Sequence, residues 1–211
     1  MSSSQVAKLL LEINAVTFRF NPPYTYTSGL KSPIYLDNRL IVSYPRVRSA
    51  IIDSYIEVIK QNIGLNRIDW ISGTATAAIP HAAFIAERLN LPMVYVRSIA
   101  KKHGKGEQIE GFLKPGANVL VIEDHVSTGG SSIENALAIR AAGGLVTHCV
   151  ATTSYETDKS ITRFKDANIK LHYLVSGREI INTAYIEGLI NMEQKKSIDL
   201  WFDNPVGWGK N

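Results

Sequence analysis

The chain opens on an amphipathic pattern. Val6, Leu9, Leu10 and Ile13 recur at i, i+3, i+4 and i+7, one face of a helix, with Ser4 placed to cap it. The pattern then breaks. NPPYTYTSGLKSPIYLDNR, residues 21–39, is crowded with Pro, Gly, Ser and Tyr, which predicts turns and short strands. A second helix is predicted from Pro45 to just before Gly64, with Ile51, Tyr55, Val58 and Ile59 on its apolar face.

Beyond it, strand-like and helix-like patterns alternate. RIDWIS (67–72) reads as a strand and GTATA (73–77) as a small-residue loop. A helix follows from about Ile79 to Leu89, with Pro80 in its first turn. PMVYVR (92–97) is a strand, and residues 98–111 form a charged, glycine-containing stretch. NVLVIED (118–124) is an almost continuous apolar run, the mark of a strand buried on both faces. STGGSS (127–132) opens a helix to about Ala142, stopped by Gly143 and Gly144. LVTHCVATT and IKLHYLV are further strands. After Thr157 the pattern is weakest. TAYIEGLINMEQKKSIDLWF reads as helices packing on the sheet, and Trp201 and Trp208 as packing or interface residues. Repeated strand–loop–helix units predict an α/β fold, a mostly parallel twisted sheet with helices on both faces. With no linker, the expectation is a single domain over 1–211, residues 1–40 forming an N-terminal helix and hood.

Composition narrows the class. Of 211 residues, 45% are hydrophobic and 20% charged, which excludes a disordered or collagen-like chain. The one cysteine, Cys149, excludes an internal disulfide framework or a cysteine-built zinc site and fits a reducing compartment. Lys8 and Glu12 interrupt the first apolar stretch, and no run reaches the roughly 20 apolar residues of a membrane span. The expectation is a cytoplasmic protein with no membrane partner.

The chemistry concentrates in VLVIEDHVSTGGSS, residues 119–132. A buried strand ends in Glu123 and Asp124, and small hydroxylated residues with two glycines lead into a helix. Backbone N–H groups at a helix N-terminus suit a phosphate. Carboxylates beside such a loop suit ligand hydroxyls or a magnesium ion. Together they suggest a sugar phosphate; the plainer alternative is a capped strand–turn–helix with two solvated acids. Neither GxxxxGK[ST] nor GxGxxG is present, and His81, His148 and His172 stand isolated in the sequence.

This segment resembles the phosphoribosyl pyrophosphate (PRPP) signature of the type I phosphoribosyltransferases. YTSGLKSPIYLDNR resembles the hood of the orotate phosphoribosyltransferases, GTATAAIPHAAFIAERLNLPMVYVR their pyrophosphate loop and next helix, and RSIAKKHGKGEQIEG their mobile catalytic loop. The resemblance runs from about residue 20 to 135. It implies transfer of phosphoribosyl from PRPP to orotate, giving orotidine 5′-monophosphate and pyrophosphate in pyrimidine biosynthesis. It also implies magnesium carried by PRPP and water with no direct protein ligand, and a homodimer whose mobile loop reaches the neighbouring site.

By the same resemblance, Glu123 and Asp124 hold the ribose hydroxyls, directly or through metal-bound water. His125, Val126, Ser127, Thr128, Gly129, Gly130 and Ser131 line the PRPP site, with Ser127 to Ser131 on the 5′-phosphate. Thr74, Ala75, Thr76 and Ala77 form the pyrophosphate loop. Tyr35 and Leu36 offer backbone groups to orotate, with Ser127 nearby. Lys101, His103 and Asp124 are the expected catalytic residues. His125 stands where the family usually has an aliphatic residue, and Ser98 where some members have a second loop lysine. Pyrophosphate-loop lysines found in some members are absent. An arginine that some members place against orotate is also absent from ATTSYE, where Tyr155 lies near that position and Arg163 is the next candidate.

The net charge of +4 acquires a place. Arg97, Lys101, Lys102 and Lys105 lie close together with His103 among them and no acid from 97 to 106; without those four, basic and acidic residues are equal in number. Such a segment can neutralise a pyrophosphate leaving group, or be an ordinary solvated loop. His103 can donate a proton or hydrogen bond there, or serve only charge and loop geometry. The segment lacks the interleaved aromatics of a single-strand nucleic-acid binder, so no nucleic-acid partner is expected. Two other readings remain: a phosphoribosyltransferase for another purine or pyrimidine, or a PRPP-sensing regulator that binds nucleic acid.

Overall fold

A computed structural model describes residues 1–26, 28–97 and 108–209. The first helix, α1 (Ser3–Glu12), is capped by Ser2 instead of Ser4. Gln5, three residues beyond Ser2, decides this. Its N–H donates to Ser2 Oγ while the Ser2 N–H donates to Gln5 Oε1, a reciprocal capping box.

The segment expected to hold turns and short strands does so. Strand β1 (Val16–Phe18) will pair with β4, and a small hairpin of β2 (Tyr24–Thr25) and β3 (Lys31–Ser32) lies between them in sequence. Strand β4 (Ile34–Leu36) runs antiparallel to β1 and sets Tyr35 opposite Thr17. A 3₁₀ turn over Asn38–Ser43 leads into α2 (Pro45–Asn62). Proline at its start lacks only an N–H that the helix would leave unpaired. Ile51, Tyr55 and Ile59 are fully buried, and burying each isoleucine contributes about 1.5–3 kcal/mol.

The main sheet holds β5 (Trp70–Thr74), β6 (Met93–Val96), β7 (Ile109–Glu110), β8 (Val119–Val126), β9 (His148–Ser154) and β10 (Lys170–Ser176), in the order β10-β9-β8-β5-β6-β7. All neighbours are parallel except β6 and β7. Strand β5 starts three residues later and ends two residues later than the pattern suggested, taking in Gly73 and Thr74. Strand β8 runs on through Val126. Strand β7 lies inside the stretch read as a loop.

Side chains along β8 alternate between two cores. Leu120 and Ile122 face the layer built by α1, α2, α3 (Ile79–Leu89), α6 (Gly177–Ile186) and α7 (Met192–Asp203). Val119 and Val121 face α4 (Gly130–Ala141) and α5 (Asp158–Asp166). This is the predicted two-sided parallel sheet, with β8 near its middle. Helix α3 occupies the residues predicted for it. Helix α5 had no clear signal, because Phe164 is its one buried apolar side chain.

At the strand ends away from the acids, His148 Nδ1 lies 3.2 Å from His172 Nε2 across β9 and β10. Burial lowers the pKa of both, that of His172 to about 4, with the nearby Lys170 charge adding to the effect.

Candidate active site

The carboxyl ends of β5 and β8 are adjacent, and between two such ends an open parallel sheet offers its ligand crevice. Strand β8 carries Glu123, Asp124, His125 and Val126 to this edge, and Ser127, Thr128 and Gly129 turn the chain into α4. Gly129 has φ +75°, and a Cβ there would stand 2.8 Å from Phe164 Cε2, so both backbone and neighbour demand glycine. Gly130 and Ser131 begin α4, where first-turn N–H groups lack helical acceptors.

The two acids sit differently. Glu123 is 5% exposed. Its Oε2 accepts from Ser132 Oγ at 2.8 Å and its Oε1 from the Asp124 N–H at 3.0 Å. Burial, reinforced by the Asp124 charge, pushes its pKa well up. Asp124 is half-buried and is the acid with a face toward solvent.

The strand end is fixed from behind by residues the sequence pattern did not single out. Asn38 Nδ2 donates to Asp124 O at 2.7 Å and to Thr153 Oγ1 at 2.8 Å. Tyr55 Oη donates to Glu123 O at 2.7 Å and lies equally close to Thr152 Oγ1. The Asn38 contact also joins the hood to the acids, since Asn38 lies two residues beyond β4. On the other side, Ser72 Oγ donates to Asn135 Oδ1 and Asn135 Nδ2 to Thr74 Oγ1, at 2.8 and 3.0 Å. Helix α4 is thereby fastened under the 74–77 loop. None of these partners follows a local spacing rule; each meets its target through the fold.

Several predicted site residues are therefore neighbours. Thr74, Ala75, Arg97 and Ser131 line one small cavity, together with Val96, Glu134 and Asn135. Thr76 and Ala77 complete the β5–α3 connection. Ala77 O is 3.3 Å from His81 Nδ1, which must be the donor to a carbonyl. His81 is thus a core histidine, 1% exposed and pushed toward the neutral form by burial. Arg97 Nη1 pairs with Glu110 at 3.4 Å.

His125 lies 2.8 Å from Thr153 Oγ1 through Nδ1, and its ring meets Tyr155 edge to face with centroids 4.3 Å apart. Burial lowers its pKa to about 4, so it is neutral at physiological pH. Val126 is buried in the α4–α5 core. Tyr35 is partly exposed beside Tyr24 and Tyr26, and Leu36 is the last residue of β4. Trp201 Nε1 donates to Lys31 O at 2.9 Å, holding the β2–β3 hairpin to α7. Arg163, considered for orotate, donates to Thr128 O. Lys101, Lys102, His103 and Lys105 lie outside the described residues, as does Ser98.

An acid-tipped central strand that opens into an amide cradle, with a second strand's loop beside it, is the architecture of the type I phosphoribosyltransferases. The family model described as phosphoribosyl transferase domain matches residues 46–173. Orotate phosphoribosyltransferase of Coxiella burnetii is 47% identical over 206 residues, covering 98% of each chain. That of Listeria innocua is 48% identical over 206 residues with the same coverage. The crystal structure of the Aeropyrum pernix orotate phosphoribosyltransferase superposes with a TM-score of 0.76 at 26% identity, covering 88% of this chain and 99% of that one. The chain belongs to the orotate phosphoribosyltransferase family.

Proposed function

We propose that the protein transfers the 5-phosphoribosyl group of PRPP to orotate, releasing pyrophosphate and forming orotidine 5′-monophosphate. Near-complete coverage by relatives of that name supports the substrate pair. The single observation that carries the mechanism is the junction of Asp124 with the Ser127–Ser131 cradle at the end of β8. The cradle takes the 5′-phosphate on backbone N–H groups and hydroxyls. Asp124 faces the ribose hydroxyls, and buried Glu123, already engaged by Ser132, sets the position of the Asp124 backbone. The Thr74–Ala77 loop and Arg97 receive the pyrophosphate. Tyr35, Leu36 and Ser127 border orotate.

The donor set suits magnesium brought by PRPP. The acids present oxygen, which would accept from the ion's bound water without ligating it, and Asn38 Oδ1 is a buried acceptor with no partner among the described residues. When bound, the ion neutralises phosphate charge. Departure of pyrophosphate leaves cationic character at ribose C1, and the orotate nitrogen attacks there. No protein nucleophile is needed, since positioning and electrostatics lower the barrier. Lys101, Lys102, His103 and Lys105 neutralise the leaving pyrophosphate, with Lys101 and His103 catalytic.

The reading includes one domain over 1–211, a cytoplasmic location, and a homodimer that shares the loop across subunits. No helix among the described residues is long and apolar enough to cross a membrane. The test mixes the protein with orotate, PRPP and magnesium and follows orotate absorbance. Turnover with orotate alone among a panel of bases is expected; a well-folded protein inert toward orotate would overturn the reading.

A further inference from the structure

Two consecutive carbonyls of the cradle are held by one helix. Thr157, the N-cap of α5, donates through Oγ1 to Ser127 O at 2.7 Å. Arg163, later in the same helix, donates through Nη1 to Thr128 O at 3.2 Å. In a trans peptide the C=O and N–H point to opposite sides. Holding these carbonyls from the α5 side therefore turns the N–H groups of Thr128 and Gly129 the other way, toward the ligand side.

The glycines fit this arrangement. Phe164 of α5 fills the space where Gly129 would carry a Cβ. Gly130 has ordinary helical backbone, yet a Cβ there would stand 3.3 Å from Arg163 Nη1, so its smallness admits the guanidinium.

The charge is the more telling part. Arg163 stands beside the N-terminus of α4, where the helix dipole disfavours a cation. No acid pairs with it among the described residues. Its side chain is exposed and solvated, and a bound anion at the helix N-terminus would add an opposite charge beside it. We propose that Thr157 and Arg163 are positioning residues for the 5′-phosphate: they orient the cradle amides from behind, and Arg163 adds positive potential across the Thr128–Gly129 peptide.

The inference rests on the 5′-phosphate reading above and is separable from it by binding two ligands that occupy different halves of the site. Ribose 5-phosphate reports the cradle; magnesium pyrophosphate reports the 74–77 loop. Arg163→Gln, which keeps a donor for Thr128 O but removes the charge, is expected to weaken ribose 5-phosphate about tenfold, in line with a charge-assisted contact. Pyrophosphate affinity and melting temperature stay as in the wild type. Arg163→Lys recovers part of the loss. Thr157→Val weakens ribose 5-phosphate, and Thr157→Ser restores it. In turnover, Arg163→Gln raises KM for PRPP and spares kcat. Unchanged ribose 5-phosphate binding in Arg163→Gln, equal weakening of both ligands, or a lysine variant no better than glutamine would each overturn the proposal. A wild type that binds no ribose 5-phosphate overturns the phosphate reading itself, and this inference with it.

Discussion

Glu123 and Asp124 are adjacent in the chain, yet the fold gives them different tasks. Ser132 and a backbone N–H already occupy the Glu123 carboxylate, whereas Asp124 keeps a solvent-facing side. Asp124→Asn is expected to lower kcat/KM by about a hundredfold or more, the scale of losing a placed electrostatic group, at unchanged melting temperature. Glu123→Gln sets an amide where two donors converge and is expected to cost about 1–3 kcal/mol of stability, read from urea unfolding. Gly129→Ala forces a side chain into φ +75° and against Phe164. Strain of about 1–3 kcal/mol is expected, together with weakened PRPP binding by calorimetry. These residues were legible because acids and cradle are contiguous in sequence. The roles of Asn38, Tyr55 and Thr153 were not, since nothing local marks a side chain that meets β8 from 28 to 86 positions away.

Elements with a local signature could be read and the others could not. Helix α3 has proline in its first turn and an apolar face, and it was read to the residue. Helix α5, with Ile161 exposed and only Phe164 of its apolar side chains buried, has no stripe to detect. Strand β7 is two residues long and exists through its pairing with β6. At the first helix the pattern put the cap at Ser4, and the placement of Gln5 sets it at Ser2 instead. Strands β9 and β10 carry a pH prediction of their own. His172 has a folded pKa near 4 against an ordinary 6.5. The unfolded chain therefore binds the proton first, and stability falls as pH drops from 6.5 toward 4. Lys170 and Arg67, the nearby charges, are both positive and oppose protonation of the pair. Urea midpoints across that window should decline in the wild type and flatten in His172→Gln.

At the scale of the molecule, Val16 and Ile34 of the hood join the main core, and the Trp201 bond to Lys31 O ties its hairpin to α7. Trp201→Phe keeps an aromatic ring but loses the bond to Lys31 O. It is expected to raise KM for orotate severalfold, with KM for PRPP unchanged in steady-state assays. The proposed shared loop makes a sharper demand. Lys101→Ala and Asp124→Asn proteins, each nearly inactive alone, should regain activity when mixed and allowed to exchange subunits; none would return if each loop served its own site. The strand order came only with the structure, whereas the mostly parallel sheet and its two helix layers followed from alternating patterns. The hood's anchoring did not, because Lys31 and Trp201 are separated by 170 residues.

That separation also bears on how the molecule is made. During synthesis Lys31 emerges well before Trp201, so the hairpin has no α7 to dock on until 170 further residues have been made. The acid strand and its cradle, 119–132, can meet β5 and α3 well before then. A nascent chain halted near residue 190 would hold the proposed phosphate-binding edge of the sheet while its hood still lacked that anchor. Phosphate recognition would then mature before base recognition within a single round of translation.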